Sequence, residues 1–389
     1  MKRALLALTL CGSLFANELE EYISPSYREL FDLQLQKSIA QGKYNSLSWI
    51  SPIMLSFERS FSNQIDGGWH PKNVYSVGID QPIFKSGGIF YGIKYALSNE
   101  SLAKLSTIKE RSKLGSSALS LLFQIKQVKL SIAKLKLQFQ NAKIEAKRAK
   151  EQFDAGLVDS VFLDNALVKV DEANIALLSL EANLENLRAE YKKIGNIALK
   201  DSKLPKLRLL SQDEFLSKNT ELDVANAKAL SSKYYSKVIK SKYLPTISVG
   251  ARYTKLSNTQ PHTKDAFTNY SLKVSMPISV NVKNELEVAK LDSLISAIDA
   301  KNSKRAQIAT YEAVKRRVKL IDKKIAFANK EANRYARILK STKELYRAGQ
   351  RSIDDVKLLQ NSLKIKKLES SIYRVDRSLE LLKLYEKVR

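Results

Sequence analysis

Residues that commonly carry out chemistry are scarce in this sequence. Two histidines, one cysteine and three methionines occur in 389 residues. These are too few for a zinc site, a disulfide framework or a soft-metal cage within one chain. His70 and His262 both fall in predicted loops between strands, and no Ser-His, metal-ligand or phosphate-loop spacing is present. The sequence therefore predicts no enzyme activity, no cofactor and no metal site.

The most suggestive pattern surrounds two glycines. Residues 153–156 (FDAG) recur as residues 346–349 (YRAG), displaced by 193 positions. Each glycine is followed within three residues by a polar helix-starting residue, a spacing typical of one helix ending and another beginning. Charged residues lie beside both turns, with Asp159 after the first glycine and Arg351 and Asp355 after the second. The two turns are the candidate functional positions.

Other matches indicate that the whole chain is an internal repeat. Residues 52–54 (PIM) recur as 245–247 (PTI), displaced by 193, and residues 75–77 (YSV) recur as 270–272 (YSL), displaced by 195. Three matches in one order favour two copies of a unit of about 190 residues. The predicted organisation is a first repeat over 17–196, a linker over 197–211 and a second repeat over 212–389.

The elements that position the two turns follow from periodicity. In each copy, apolar and polar residues first alternate, which predicts β-hairpins over 51–84 and 245–280. Long proline-free stretches with helical spacing of apolar residues come next. Helices are predicted over 88–154, 160–194, 284–347 and 352–385, with shorter ones over 26–41 and 212–243. The fold class is thus mostly α, with long helical hairpins and four strands.

The N-terminus predicts export from the cytoplasm. Lys2 and Arg3 precede an apolar run and small residues ending at Ala16, the pattern of a signal peptide over residues 1–16. A buried N-terminal helix is the alternative. Cys11 lacks the preceding small residue expected for lipid attachment, and no later stretch approaches the roughly 18 to 20 apolar residues of a spanning helix.

The net charge of +26 by itself favours an anionic partner such as nucleic acid. Export, lysines dispersed along helices and the strand hairpins oppose that interpretation. Strands of about 11 residues are long enough to cross a bilayer, but four cannot close a membrane barrel and open edges are not tolerated in lipid. Several copies of the chain are therefore expected to combine, with helices below the barrel.

Taken together, these features resemble the TolC-like outer membrane efflux proteins. The resemblance rests on the tandem repeat, the strand entry at Leu244-Pro245, both hairpins and the motifs at the two turns. It implies a homotrimer with a twelve-stranded outer-membrane β-barrel and a periplasmic helical tunnel. It also implies two partners, a periplasmic adaptor protein and an inner-membrane pump of the RND or ABC type. The chain would be a passive duct for drugs, metals or other solutes, or for type I secretion.

The resemblance also implies roles for residues at the turns. Asp355 matches the acid that lines the entrance constriction, although a second acid position is Leu358 here, and a helix-start role for Asp355 is the alternative. Tyr346 and Arg351 match a closed-state latch, with Asp159 as the expected partner because the family's acidic position is Phe162; Asp164 is the other choice. The predicted adaptor contacts are Ala155, Gly156, Leu157, Ala348, Gly349 and Gln350.

One further function stays open at this point. A periplasmic coiled-coil adaptor or filament without a membrane barrel would share the long amphipathic helices. The transported substrate, the particular pump and adaptor, and the origin of the positive charge are not encoded in any recognisable motif.

Overall fold

The computed structural model describes residues 19–63, 69–196, 204–257 and 265–388. The predicted signal peptide, most of the residues between paired strands of each hairpin, and residues 197–203 of the predicted linker lie outside these ranges. The chain divides into two compact units. The helical unit comprises Met1–Phe31, Ile108–Thr220 and Arg305–Arg389, and the sheet unit comprises Asp32–Thr107 and Glu221–Lys304.

Long helices and one small sheet make up the described chain, as the sequence predicted. The helices are α1 (Pro25–Leu47), α2 (Gly88–Asp154), α3 (Ser160–Ile194), α4 (Gln212–Ser217), α5 (Thr220–Lys242), α6 (Val282–Arg347) and α7 (Ile353–Tyr385). The strands are β1 (Met54–Ser62), β2 (His70–Phe84), β3 (Thr246–Ser257) and β4 (Ala266–Ser275). α2 and α6 have 67 and 66 residues, and no proline interrupts either one.

The strands form a single antiparallel sheet in the order β1-β2-β3-β4. Its register aligns apolar residues on one face: Leu55 lies opposite Val77, and Val77 lies opposite Tyr253. On the other face the matching row is Ser56, Ser76 and Thr254. Because side chains alternate along a strand, this register gives the sheet one apolar and one polar face.

The apolar face of the sheet is exposed, and the sheet has two open edges. Tyr270, Leu272 and Leu55 are 83%, 72% and 81% exposed. β1 pairs only with β2, and β4 only with β3, so the outer side of each edge strand has no backbone partner within the described sheet. An apolar surface and a free row of backbone donors and acceptors both need to be covered by something other than water.

The predicted helix over 212–243 is divided in two, which the periodicity did not indicate. Asn219 forms an isolated bridge with Val388. The Thr220 amide donates to the Lys387 carbonyl oxygen at 2.8 Å, and the Thr220 hydroxyl donates to the same oxygen at 3.1 Å. Asn219 and Thr220 are almost completely buried, so pairing with the end of the chain replaces a helical turn here.

Contacts define the order of the long helices in the helical unit. α2 packs on α3 through an apolar cluster around Leu184. α2 also contacts α7, where the Asn361 amide donates to Asn141 at 2.8 Å. α7 contacts α6, where Lys366 and Glu331 approach to 2.9 Å. The four helices therefore lie in the order α3, α2, α7, α6, and neighbours run antiparallel.

The main core of the helical unit lies away from the two glycine turns. It combines the start of the described chain with the C-terminal end of α7 and parts of α2 and α6. The aromatic rings of Phe215 and Tyr311 stack within it at a centroid distance of 5.8 Å, and the Tyr311 hydroxyl donates to the Leu210 carbonyl oxygen. The completely or almost completely buried residues of this core include Leu19, Ile23, Leu119, Phe215, Leu381 and Leu384.

Among the described residues, no helix combines the length and the apolar character needed to cross a membrane.

Candidate functional site: the two helical turns

The first turn, residues 155–159, ends α2 with two backbone hydrogen bonds to carbonyl oxygens of the last helical turn. The Leu157 amide donates to the Gln152 carbonyl oxygen and the Gly156 amide donates to the Phe153 carbonyl oxygen, both at 2.9 Å. Gly156 has a φ of 72°. This is the Schellman arrangement, which satisfies carbonyl groups that a helix end leaves free and places its glycine in the left-handed region.

The second turn, residues 348–352, ends α6 in the same way. The Gln350 amide donates to the Leu345 carbonyl oxygen at 2.9 Å, and the Gly349 amide donates to the Tyr346 carbonyl oxygen at 3.0 Å. Gly349 has a φ of 75°. A polar cap follows each glycine by three residues: the Asp159 carboxylate accepts from the Phe162 amide, and the Ser352 hydroxyl accepts from the Asp355 amide. Backbone hydrogen bonds and one capping side chain therefore fix the conformation of each turn.

Both turn glycines face open space. A Cβ atom at Gly156 or Gly349 would have no neighbouring heavy atom within 4 Å. Steric crowding within the chain therefore does not explain the glycines, whereas their positive φ does. Leu157, beside the first glycine, is 74% exposed. The backbone of each turn is thus accessible to another molecule.

Asp355 is engaged within the chain. One of its carboxylate oxygens accepts a hydrogen bond from the Ser352 amide at 3.2 Å, and together with the Ser352 hydroxyl this forms a capping box at the start of α7. The other oxygen accepts from the Arg148 guanidinium at 2.7 Å, and the same guanidinium donates to the Ser352 hydroxyl at 2.9 Å. The helix-start role given above as an alternative is therefore present in the structure.

Arg148 changes the electrostatics of Asp355. The hydrogen bond from the Arg148 guanidinium holds the pKa of Asp355 below its usual range; partial desolvation opposes this shift, and the Ser352 hydrogen bonds add to it. The carboxylate is thus ionised, and it carries a counter-charge from α2. The sequence analysis missed Arg148, because nothing in the lysine-rich and arginine-rich pattern of α2 distinguishes it from its neighbours.

The structure places the predicted latch residues apart from one another. Asp159 is the N-cap of α3, with φ −83° and ψ 171°. Tyr346 lies in the last turn of α6 and is 42% exposed. Arg351 is exposed in the second turn, and in the described part of this single chain it forms no salt bridge. One chain by itself therefore does not bring Arg351 to Asp159.

No group of three or more histidine, cysteine, aspartate or glutamate residues in the described ranges is arranged to hold a metal ion.

Several outer membrane proteins and channels of known structure share the fold of this chain. The chain is similar to the outer membrane protein VceC of Vibrio cholerae, with a TM-score of 0.76 and 12% identity, over 97% of this chain and 96% of that one. It is similar to the CmeC outer membrane channel of Campylobacter jejuni, with a TM-score of 0.74 and 16% identity, over 96% of this chain and 86% of that one. It is also similar to CusC, whose structures concern transmembrane channel formation, with a TM-score of 0.72 and 13% identity, over 96% of this chain and 90% of that one.

No protein-family model matches the sequence, and no curated protein matches it significantly. At these identities the likeness shows the fold, and it covers nearly the whole chain. The mostly helical fold with one four-stranded antiparallel sheet, predicted from the resemblance to TolC-like outer membrane channels, is confirmed.

The ion pair between Asp355 and Arg148 predicts how the stability of the protein changes at acidic pH. Because the pKa of Asp355 is depressed in the folded protein, its contribution to the free energy of unfolding is present above the ordinary aspartate pKa of about 3.9. It is lost as the pH falls through the folded-state value. In Arg148→Gln the pKa of Asp355 should be lowered less, because the guanidinium is gone. We therefore expect stability to depend less on pH in the acid range, measured as denaturant midpoints of detergent-solubilised protein.

Arg316→Gln is the matched control, because Arg316 is exposed and has no salt bridge in the described chain. It should keep the pH dependence of the unchanged protein. Identical acid profiles for Arg148→Gln and the unchanged protein would show that the pair contributes nothing to folding.

Proposed function

We propose that the protein is the outer membrane channel of a tripartite efflux or type I secretion system. Three copies would form a passive exit duct for solutes delivered by an inner-membrane pump of the RND or ABC type through a periplasmic adaptor. The observation that carries the proposal is the sheet, whose exposed apolar face and two open edges occur in a fold shared with outer membrane channels.

The open edges give the reason for more than one copy. In a bilayer every backbone donor and acceptor needs a partner, and membrane barrels have at least about eight strands. Pairing β4 of one copy with β1 of the next would satisfy both edges. Three copies supply twelve strands, with apolar side chains toward lipid and the row containing Ser56, Ser76 and Thr254 toward the interior.

Asp355 would lie at the entrance of the helical tunnel, three copies facing one axis. Three free carboxylates at a constriction attract cations and repel anions. Here each carboxylate is paired with Arg148, and the further acid position is Leu358. We therefore expect this entrance to select weakly between cations and anions, which suits a duct whose substrate choice resides in the pump.

Tyr346, Arg351 and Asp159 would form the latch between neighbouring copies. This assignment accommodates the single-chain geometry, in which Arg351 is exposed and Asp159 occupies the start of α3. The six predicted adaptor contacts are the two exposed glycines and the four residues beside them, where bare backbone allows a partner to approach closely.

The channel proposal predicts membrane localisation, assembly and conductance together. Full-length protein should fractionate with the outer membrane, migrate as a heat-sensitive trimer on gels and open conducting pores in planar bilayers. The adaptor alternative predicts a soluble periplasmic protein without conductance.

A deletion strain tested against bile salts, dyes, antibiotics and divalent metals would identify the substrate class, because loss of the exit duct exposes the cell to whatever the pump removes.

The latch predicts that Arg351→Ser opens the entrance. Removing the guanidinium eliminates the bond across neighbouring copies, so single-channel conductance and leakage of large antibiotics into the cell should both rise. Arg316→Ser, on the same chain but far from the turns, should leave both unchanged. Equal conductance for Arg351→Ser and the unchanged protein would remove Arg351 from the latch.

Substitutions at Gly156 separate a turn role from a docking role. In the left-handed region alanine costs about 1 kcal/mol or more, whereas asparagine is better tolerated. Trimer stability should therefore fall more in Gly156→Ala than in Gly156→Asn. If the adaptor docks on the bare backbone, efflux should fall more in Gly156→Asn, because its side chain is larger.

Gly92→Asn is the control for bulk, since Gly92 also faces open space but lies far from both turns. It should support normal efflux. Efflux that follows trimer stability in all variants would assign Gly156 a purely structural role.

A further inference from the structure

One side of α2 carries a row of exposed lysines. From residue 126 to residue 150, exposed positions recur every three or four residues, and all but Ala133 and Gln140 of them are lysines. These lysines are Lys126, Lys129, Lys136, Lys143, Lys147 and Lys150. Positions three and four residues apart lie on the same side of a helix, so the six side chains form one stripe about 36 Å long.

The narrow exposed strip of α7 is also basic. Between residues 354 and 382, every exposed side chain is a lysine or an arginine. These residues are Lys357, Lys364, Lys367 and Arg374. Acids of the same stretch face α2 instead: Glu369 forms a salt bridge with Lys134. Asp376 accepts a hydrogen bond from the Gln127 amide.

On α2, the lysine stripe faces neither neighbouring helix. The α2 residues that contact α7 recur every seven positions, as Gln127, Lys134 and Arg148 show. Those packed on α3 include Val128 and Ile132. At about 100° of rotation per residue, the lysine positions lie on the remaining wide side of α2, away from both contact rows.

The basic strip of α7 lies on the same face of the helical row. On α7, Glu369 marks the side toward α2, Lys366 marks the side toward α6, and the basic positions follow after both. Seen from the start of α2, residues turn clockwise along α2 and anticlockwise along the antiparallel α7. Since α3 and α6 lie at opposite ends of the row, both rotations bring the basic positions to one face. We call this surface of six α2 lysines and four α7 basic residues the lysine face.

Most of the charges on the lysine face have no acid to bind within the described chain. Three of the ten residues form salt bridges, and these are long: Lys136–Glu181 at 3.8 Å, Lys147–Glu151 at 3.6 Å and Lys357–Asp354 at 3.5 Å. Exposed pairs of this kind contribute little to stability. The other seven side chains form no salt bridge among the described residues, so the lysine face carries a large uncompensated positive charge.

Large apolar side chains are missing from the lysine face. No large hydrophobic residue is exposed between residues 98 and 152 or between residues 354 and 388 of the described chain. The outer helices differ, since α3 exposes Val161 and Ile175 and α6 exposes Phe327. A packed helical partner or a bilayer requires apolar contact area. Charge without apolar area favours a hydrated polyanion as the partner.

We propose that the lysine face binds peptidoglycan, the carboxylate-bearing polymer of the bacterial cell wall. Its stem peptides present free carboxylates on a hydrated, loosely ordered network. Lysine ammonium groups are hydrated point charges on flexible stems, which suits such a network better than rigid bidentate recognition. The proposal rests on the proposed channel function, which puts the helices in the periplasm, and it adds a cell-wall partner to the adaptor and the pump.

Cosedimentation with isolated peptidoglycan sacculi tests this proposal. Full-length protein in detergent should pellet with sacculi, and the bound fraction should fall as salt concentration rises, because exposed charges are screened. The variant Lys126→Gln/Lys129→Gln/Lys364→Gln/Lys367→Gln should bind about tenfold more weakly, because four exposed ion pairs are lost. Glutamine has nearly the helix propensity of lysine, so circular dichroism should show unchanged helix content.

The matched control removes the same charge from α5, which belongs to the sheet unit. Its exposed lysines also form no salt bridge in the described chain, and the control variant is Lys228→Gln/Lys233→Gln/Lys237→Gln/Lys240→Gln. This variant should bind sacculi as well as the unchanged protein. An equal loss of binding in both variants would assign the effect to net charge and reject the lysine face.

Chemical blocking of the sacculi identifies the group that is bound. Sacculi whose carboxyl groups have been converted to amides should no longer capture the protein. Vesicles containing phosphatidylglycerol are the comparison, because they offer anionic phosphates on a bilayer. Capture that survives amidation, or that is stronger on the vesicles than on untreated sacculi, would overturn the assignment to peptidoglycan.

The outcomes separate this proposal from the channel function. Conducting outer-membrane trimers that do not sediment with sacculi would overturn the peptidoglycan contact and leave the channel intact. Protein that binds sacculi through the lysine face but opens no pores in bilayers would support the contact while rejecting the channel.

Discussion

Open edges are the constraint on which the rest of this molecule depends. Within the described sheet, β1 and β4 each leave one row of backbone groups unpaired, and the row of long helices ends at α3 and α6. Backbone groups and apolar stripes are costly to leave uncovered. The proposed assembly of several copies would cover the open edges, and the fold is shared with outer membrane proteins and channels of known structure.

The two glycine turns are held in place with little side-chain chemistry. Each turn is fixed by backbone hydrogen bonds and one capping side chain, and each glycine is required by its positive φ rather than by crowding. The acid nearest the predicted entrance, Asp355, is held by Arg148 and Ser352 and has a lowered pKa for that reason. The second turn is thus shaped by helix geometry, and the charge of Asp355 is balanced by Arg148 of the same chain.

The positive charge, which at first favours an anionic partner, has a location in the structure. Part of it lies on α6, where Lys323, Lys330, Arg334, Arg337 and Lys340 are exposed and form no salt bridge in the described chain. On α3, Asp171 and Glu172 form no salt bridge in the described chain.

Local physics made much of this protein predictable from its sequence. The absence of proline, helical spacing of apolar residues and a glycine followed by a capping residue place α2, α3, α6 and α7 within a residue or two of their observed ends. Alternation of apolar and polar residues likewise located the four strands. Only the tertiary structure decided which distant residues meet: Arg148 with Asp355, and Thr220 with Lys387, whereas Arg351 forms no salt bridge among the described residues. Those contacts depend on the lateral order and register of helices far apart in sequence, and periodicity specifies which side of a helix is buried but not which helix covers it.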